Sequence, residues 1–140
     1  LWLSREGDAD VAIDNVHLGG LIKNTQSEMA YLLAGKSVTV SVDVDDIEIP
    51  LAVTPAIIVI NNLIRNAFQH TQQGMVKIKQ QGDEVVITNV EIDQDNMNNI
   101  HEELGFGLGM QLVEKLTSQF GWHYAITQDN KGYQVSISFS

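Results

Sequence analysis

The sequence contains no cysteine, which excludes disulfide bonds, thiolate zinc sites and cysteine nucleophiles together. Basic residues are also few: eight lysines and arginines stand against eighteen acidic residues, for a net charge of −10. A protein that follows a nucleic-acid backbone needs a basic face, so we expect no nucleic-acid partner. No apolar run approaches the ~20 residues that cross a bilayer, and the N-terminus lacks the basic and apolar regions of a signal peptide.

What is present is the composition of an ordinary globular domain. Of the 140 residues, 44% are hydrophobic and 19% are charged. A chain of this length can fold as one domain that buries roughly 68–70% of its unfolded surface. Because it does not begin with Met, we expect it to be part of a longer protein.

Hydrophobic periodicity divides the chain into helices and strands. Helical spacing predicts three helices, over 17–33, from Thr54 to before Gly74, and over 110–120. In the second helix, Thr54 is the predicted cap and Pro55 the first helical residue. Period-two or apolar runs predict strands at 11–14, 37–44, 47–49, 75–79, 84–89, 122–127 and 133–139. We interpret 47–49 as a strand returning after 37–44, and the polar stretch 90–104 as a mobile loop. The pattern indicates an α+β fold with an antiparallel-rich sheet, three main helices and two layers.

The first segment with chemical content is residues 62–71, with the sequence NLIRNAFQHT. On a helix, Asn62, Asn66 and His70 lie at successive four-residue steps and share one edge. The amide oxygen of Asn suits Mg²⁺, which is usually shared with substrate phosphates. A buried Asn can equally cap or bridge backbone groups, since leaving it unpaired costs on the order of 1–3 kcal/mol. This segment alone leaves both interpretations open.

The second segment is Gly105-Phe106-Gly107-Leu108-Gly109, which opens the third predicted helix. Its glycines let the backbone turn tightly, and a helix start directs N–H groups and a positive dipole end at a phosphate. Met110 stands where a dinucleotide fingerprint requires glycine, and the Gly-Lys-Ser/Thr of a P-loop is absent. The Rossmann and P-loop interpretations are therefore excluded.

Taken in order, these segments resemble the ATP-binding domain of sensor histidine kinases, in the superfamily that includes gyrase and the mismatch-repair ATPases. Residues 62–67 resemble the N box, 105–109 the second glycine box, and 84–89 the strand before the first glycine box. The resemblance implies a two-layer α/β sandwich of the Bergerat type, with a mixed, mostly antiparallel sheet of about five strands on three helices. It also implies that residues 1–8 end the preceding dimerisation and phosphoacceptor helix, and that 9–140 form the catalytic domain.

The function implied by the resemblance is binding of Mg-ATP and transfer of its γ-phosphoryl group to a histidine. Asn66 would ligate Mg²⁺ and Asn62 would support the phosphates, both as catalytic residues. Asn89 would face adenine, with Asp93 as the alternative if the strand is longer. The nucleotide-binding set implied in this way is Asn66, Arg65, Gln69, His70, Asn89, Asp93, Gly105, Gly107, Leu108 and Gly109.

The chain departs from the family pattern at the first glycine box, where residues 89–93 read NVEID instead of Asp-x-Gly-x-Gly. Asn89 can still accept from the adenine amino group, but it lacks a charge-assisted bond, which is about twice as strong as a neutral one. This departure favours an alternative, a degenerate domain with weak or no nucleotide affinity and a regulatory or docking role. A gyrase-class ATPase is disfavoured, because Asn62 stands where those enzymes have a water-activating Glu.

The resemblance also implies partners and a location. The expected partners are the protein's own dimerisation domain and, through it, the response regulator of a bacterial two-component system. We expect the fragment to be monomeric and the parent protein to be a homodimer. The domain is expected to be cytoplasmic, with its parent anchored in the inner membrane.

Overall fold

The computed structural model describes residues 12–91, 108–128 and 132–139. Within them the elements are β1 Ile13–His17, α1 Leu18–Glu28, a 3₁₀ turn Ala30–Leu33, β2 Ser37–Val44, β3 Glu48–Ala52, α2 Val53–His70, β4 Gln73–Gln81, β5 Glu84–Glu91, α3 Leu108–Phe120, β6 His123–Gln128 and β7 Gly132–Ser138. The segment 1–8, predicted to end a dimerisation helix, lies outside the described residues.

One face of a five-stranded sheet packs against the three helices. The strand order is β2-β4-β5-β7-β6, in which β2 and β4 are parallel and the other neighbours are antiparallel. Alternate residues of β4, β5 and β7 enter a core shared with the helices; they include Val76, Ile78, Val85, Ile87, Val135 and Ile137. The predicted α+β sandwich with three helices and a mostly antiparallel five-stranded sheet is confirmed.

Helix α2 is the longest described helix, and it runs through the middle of the helical layer. Its buried positions, Val59, Ile60, Leu63, Ile64, Ala67 and Phe68, recur at three- and four-residue spacing and form one apolar face. The predicted cap is wrong: the helix already begins at Val53, and its N-cap, Ala52, makes no side-chain cap bond. Pro55 lies within the first turn, where a missing N–H removes no intrahelical bond.

The helix predicted over 17–33 is shorter than expected. It ends at Glu28, and the chain continues as a 3₁₀ turn up to Leu33. Its start is capped by His17, whose Nδ1 accepts a hydrogen bond of 2.8 Å from the backbone N–H of Gly20. This cap explains how a first turn that contains two glycines is held in place.

Strand β3 pairs differently from the prediction. Instead of returning beside β2, it forms a separate two-stranded antiparallel sheet with β1, in which Ile13 faces Ala52. Strand β2 pairs with β4 in parallel, because α2 carries the chain back across the sheet between them. The short strand predicted at 47–49 therefore exists as 48–52, and its predicted partner was wrong.

The C-terminal part of the chain agrees with its predicted pattern. Strands β6 and β7 form an antiparallel hairpin, and Trp122 stacks on Phe120 at a centroid distance of 5.0 Å before entering it. Strand β5 is longer than predicted and continues to Glu91, so the first residues of the predicted loop 90–104 are strand. The rest of that loop lies outside the described residues. None of the described helices combines the length and apolar character needed to cross a bilayer.

Candidate functional site

The two amides of the 62–71 segment lie on α2 in different hydrogen-bonding states. The side-chain Nδ2 of Asn62 donates to the carbonyl of Ile58 at 2.7 Å, one turn back along the helix. The Nδ2 of Asn66 is buried and finds no acceptor among the described residues. Because an unsatisfied buried donor costs about 1–3 kcal/mol, Asn66 is the amide that a ligand would complete.

The sheet brings Asn89 against the last turn of α2. Asn89 is 1% exposed, and its Nδ2 donates to the hydroxyl of Thr71 and, at 3.4 Å, to the carbonyl of Ala67. Its Oδ1 is buried and has no hydrogen-bond donor in the described part of the chain. The tertiary structure thus places a vacant acceptor beside the helix that carries Asn66.

Tyr133 lies on the strand paired with β5, directly opposite Asn89. Its ring is buried, and its hydroxyl has no hydrogen-bond partner in the residues that the structure describes. Burial raises the pKa of Tyr133; the side chain of Asn89 is near enough to the phenol to oppose this with a smaller effect, although the two groups do not meet in hydrogen-bond geometry. The pKa of Tyr124 on β6 is also raised, first by burial and then by Glu114 and Tyr133. We call Thr71, Asn89 and Tyr133 the inner polar cluster.

A cleft of 350 Å³ lies at the ends of β5, β6 and β7, next to this cluster. It is lined by Thr88, Asn89, Val90, Thr127, Gln128, Gly132, Tyr133 and Gln134. Two of the cluster residues, Asn89 and Tyr133, belong to its wall. Other lining residues, such as Thr88 and Gln134, contact each other on the opposite face of the sheet, because neighbouring residues of a strand alternate between its two faces. The cleft therefore reaches the cluster residues, whereas their vacant polar atoms are buried on the side that faces the helices.

Two glycines hold the end of β5 between its neighbouring strands. A Cβ added at Gly132 would lie 1.7 Å from the carbonyl oxygen of Asn89, and one added at Gly74 would lie 2.0 Å from that of Val90. Backbone atoms cannot move aside as a flexible side chain can. Both neighbours therefore require glycine there, and the close approach sets where Asn89 stands.

The C-terminal end of α2 is fixed by two charged residues. Lys36 donates from Nζ to the carbonyls of Phe68 and Gln69 at 2.8 and 2.9 Å, in the position where a cation complements a helix end. Burial lowers the pKa of Lys36, and the nearby Glu91 partly offsets this.

Glu91 closes the same corner from the side of the sheet. It is 3% exposed, and its carboxylate oxygens accept from the backbone N–H groups of Gln72 and Gln73 at 3.1 and 2.8 Å. With Lys36 on one side and Glu91 on the other, the connection from α2 to β4 is held rigidly. This rigidity keeps Thr71 at a set position in front of β5.

The remaining predicted site residues divide into three groups. Arg65 and Gln69 are exposed on α2, and His70 is half-buried at its end. Leu108 and Gly109 form the start of α3, where backbone N–H groups lack intrahelical partners, and α3 packs against α2. Asp93, Gly105 and Gly107 lie outside the described residues.

Thr71, Tyr133 and Lys36 were not predicted as site residues. Thr71 is the last residue of the segment 62–71 that carries Asn62 and Asn66, and this neighbourhood was the one available signal in the sequence. Tyr133 and Lys36 reach the site through strand register and chain crossing. No local pattern announces contacts of this kind.

The donor set fits a magnesium nucleotide. Neutral amide oxygens on one helix edge suit Mg²⁺ held jointly with phosphates, and a helix start suits the phosphates themselves. Four buried side-chain atoms have no partner among the described residues, and besides the hydroxyls of Tyr124 and Tyr133 they are Nδ2 of Asn66 and Oδ1 of Asn89. One donor and one acceptor of this kind match a ligand with both polar base and phosphate groups.

Comparisons with known proteins identify the family and the fold of the chain. A profile of the family described as histidine kinase-, DNA gyrase B-, and HSP90-like ATPase matches residues 52–140, more than half of the chain. Comparison with curated proteins gives no match.

Solved structures give the same result for the fold. The cytoplasmic segment of histidine kinase QseC superimposes with a TM-score of 0.71 at 14% identity, covering 96% of this chain and 82% of that one. The catalytic domain of histidine kinase ThkA gives 0.72 at 18% identity, covering 91% and 96%. Full-length ShkA in complex with AMPPNP gives 0.73 at 17% identity, covering 93% of this chain and 32% of that one.

At these identities the structural likeness is one of fold, and the profile match shows the family. The match begins at Ala52 and includes both α2 and the strands that form the inner polar cluster. The chain therefore belongs to the family of histidine kinase-, DNA gyrase B- and HSP90-like ATPases, with the fold of histidine kinase catalytic domains.

Proposed function

We propose that this chain binds Mg-ATP and presents its γ-phosphoryl group to a histidine on the dimerisation domain of the same protein. The observation that carries the proposal is the pair of vacant buried polar atoms, Nδ2 of Asn66 on α2 and Oδ1 of Asn89 on β5. Families of this fold bind nucleotide, and AMPPNP is bound in the ShkA structure.

In this proposal each element has one task. Asn66, with support from Asn62, would hold Mg²⁺ through its Oδ1, and the bound ion would neutralise charge on the phosphates. The vacant Nδ2 of Asn66 is a donor and would meet a phosphate oxygen. The N–H groups at Leu108 and Gly109 receive the phosphates, and Gly105 and Gly107 are proposed to bind them as well. Asn89 receives the base. Catalysis then comes mainly from positioning the phosphoryl group.

Transfer to histidine is favoured over hydrolysis. Asn62 is a neutral amide, and its Nδ2 is already engaged with the carbonyl of Ile58. A neutral amide cannot take a proton from an attacking water, so the chain lacks a general base at this place. We expect slow hydrolysis and a protein-histidine kinase activity that depends on the dimerisation domain.

The same proposal extends to partners and location. The acceptor histidine lies on the dimerisation domain, which residues 1–8 would join, and a response regulator of a bacterial two-component system receives the phosphoryl group. The parent protein is a homodimer anchored in the inner membrane, with this domain in the cytoplasm. The isolated chain is a monomer.

A second candidate is a degenerate docking domain without useful nucleotide affinity. One observation favours it: the phenol of Tyr133 is buried and lies opposite Asn89, the residue proposed to receive the base. If the ring blocks the base, the vacant acceptor of Asn89 remains vacant.

Thermal unfolding with ATP or ADP, each with and without Mg²⁺, separates the two candidates. A ligand at ~100 times its dissociation constant adds about 2.7 kcal/mol, which raises the unfolding temperature by several degrees. We expect a Mg²⁺-dependent rise that Asn66→Ala abolishes. Asn61→Ala is the matched control, because Asn61 lies on the same helix but accepts from Thr25 instead. The absence of any rise at millimolar nucleotide would favour the docking domain.

A further inference from the structure

The orientation of the Asn89 side chain affects which ligand groups it can bind, whereas the orientation of a carboxylate at the same position would not. A carboxylate has two equivalent acceptor oxygens, whereas an amide has an acceptor end and a donor end. The end that faces a bound base determines whether the site reads a donor or an acceptor on that base. A chain of hydrogen bonds through Thr71 and Ala67 sets this orientation.

This chain of hydrogen bonds begins at the carbonyl oxygen of Ala67, which can only accept hydrogen bonds. The hydroxyl of Thr71 donates to this oxygen at 2.8 Å, so its hydrogen is committed and its lone pairs remain available. The Nδ2 of Asn89 donates to those lone pairs and makes only a long contact of 3.4 Å with Ala67 directly. Because its hydrogen is bound to Ala67, the hydroxyl of Thr71 can only accept from the amide of Asn89.

A reversed amide would lose both contacts. Its oxygen would lie against the carbonyl of Ala67 and against a hydroxyl whose hydrogen is already engaged. In the observed orientation Oδ1 points away from Thr71, and it is buried without a donor among the described residues. The site consequently presents a hydrogen-bond acceptor to which a ligand can donate.

We infer that Thr71 is a positioning residue that holds the Asn89 amide with its oxygen toward the base, so that the site selects a 6-aminopurine over a 6-oxopurine. The inference rests on the proposed function. A 6-amino group donates to Oδ1, whereas a 6-oxo group places a second acceptor against it. A site built around one hydrogen bond rejects the analogue that leaves its polar group unpaired.

The position of Thr71 suits this task. It is fully buried at the C-terminal end of α2, and its backbone N–H also bonds to Ala67, at 3.2 Å. Lys36 and Glu91 hold the same corner through the carbonyl of Phe68 and the N–H of Gln72. A group that orients a ligand contact needs this rigid support.

The test measures the affinity of the whole chain for Mg-ADP and for Mg-IDP, whose base differs in its 6-oxo group and protonated N1. We expect the wild type to prefer ADP, and Thr71→Val to reduce that preference on the order of tenfold. Thr71→Ser keeps the hydroxyl and should keep the preference. Thr117→Val is the matched control, because the buried hydroxyl of Thr117 donates to the carbonyl of Glu114 within α3.

The outcomes separate this inference from the proposed function. If ADP binds and Asn66→Ala abolishes that binding, but Thr71→Val keeps the wild-type base preference, the positioning role is refuted and the proposed function stands. A wild type that binds ADP and IDP equally refutes it as well. A wild type that binds neither nucleotide overturns both. Should Thr71→Val fail to fold, Thr71→Ala removes the same hydroxyl and gives the same comparison.

Discussion

The two ends of the β4–β5 hairpin each carry a polar cluster, and the two clusters differ in completeness. At the turn end, Gln80 is buried, and its Nε2 donates to Asp45 at 2.9 Å and to the carbonyl of Gly82 at 2.7 Å. Its Oε1 accepts from the N–H of Asp45 at 3.0 Å. The N–H of Gly82 donates to the Asp45 carboxylate at 2.6 Å and lowers the pKa of that group. Both ends of the Gln80 amide are therefore satisfied.

At the opposite end, the inner polar cluster satisfies only one half of an amide. The donor side of Asn89 is engaged, whereas its Oδ1 and the hydroxyl of Tyr133 are buried without partners among the described residues. Buried polar groups in native proteins are nearly always hydrogen-bonded, and exceptions need a reason. The difference indicates that the turn end serves stability, and it supports our proposal that a ligand completes the other end.

The largest effect is expected from filling the space beside the incomplete end. Gly132→Ala places a Cβ 1.7 Å from the carbonyl oxygen of Asn89, a backbone atom that cannot turn aside. We expect the strands to separate locally, at a cost of about 3 kcal/mol or more in the free energy of unfolding, with loss of nucleotide binding. Urea denaturation and the ADP thermal shift measure the two effects.

The control for that substitution lies at the complete end of the same hairpin. Gly82 has a φ of 62°, and nothing lies within 4 Å of an added Cβ, so Gly82→Ala should cost only about 1–2 kcal/mol of backbone strain. Its ADP shift should be retained. Equal losses of stability in the two variants would contradict the special closeness of β7 and β5 at Asn89.

An intermediate effect is expected from opening the complete cluster. Gln80→Leu keeps the bulk of the side chain but removes three hydrogen bonds and leaves polar groups of Asp45 and Gly82 without them. We expect a loss of about 1–3 kcal/mol in urea denaturation, with nucleotide binding unchanged. Gln81→Leu, at the neighbouring exposed position, should change stability by less than about 0.5 kcal/mol. If Gln80→Leu left the free energy of unfolding unchanged, this would show that the cluster does not stabilise the hairpin.

The smallest effect on stability is expected from Tyr133→Phe. The hydroxyl has no hydrogen-bond partner in the described residues, so its removal relieves a desolvation cost instead of breaking a bond. We expect the free energy of unfolding to stay unchanged or to rise by up to about 1 kcal/mol. Tyr31→Phe, at a residue that is 70% exposed, should leave stability unchanged. A clear loss of stability in Tyr133→Phe alone would show that this hydroxyl has a structural partner.

Local patterns anticipated much of the fold. The strict alternation of β2 predicted its bounds of 37–44 correctly, because every second side chain must enter the core. The apolar spacing of α2 predicted a helix with Asn62 and Asn66 on one edge, since helix geometry alone places them there. Errors occurred where pairing decides structure: the sequence of β3 is compatible with either β1 or β2 as partner, and the chain crossing selects β1.

The candidate site divides along the same line. Residues close in sequence, such as Asn62 and Asn66, could be assigned to one edge from spacing. Asn89 was predicted to face adenine from its place in the family pattern, and that remains a prediction. Its contact with Thr71, 18 residues away, depends on how β5 lies against α2. The role proposed for Thr71 became visible only through this contact.

By itself the sequence determined the α+β class, the amphipathic helices, and the identity of the groups available for chemistry, because these follow from residue type and short-range periodicity. The tertiary structure alone decided which polar atoms are satisfied and which are left vacant. Whether a polar atom finds a hydrogen-bond partner depends on distances between segments that are far apart in the chain. These distances are set by strand order and by two glycines that allow close approach. The vacant oxygen of Asn89 is therefore a property of the fold, although the amide that carries it is a property of the sequence.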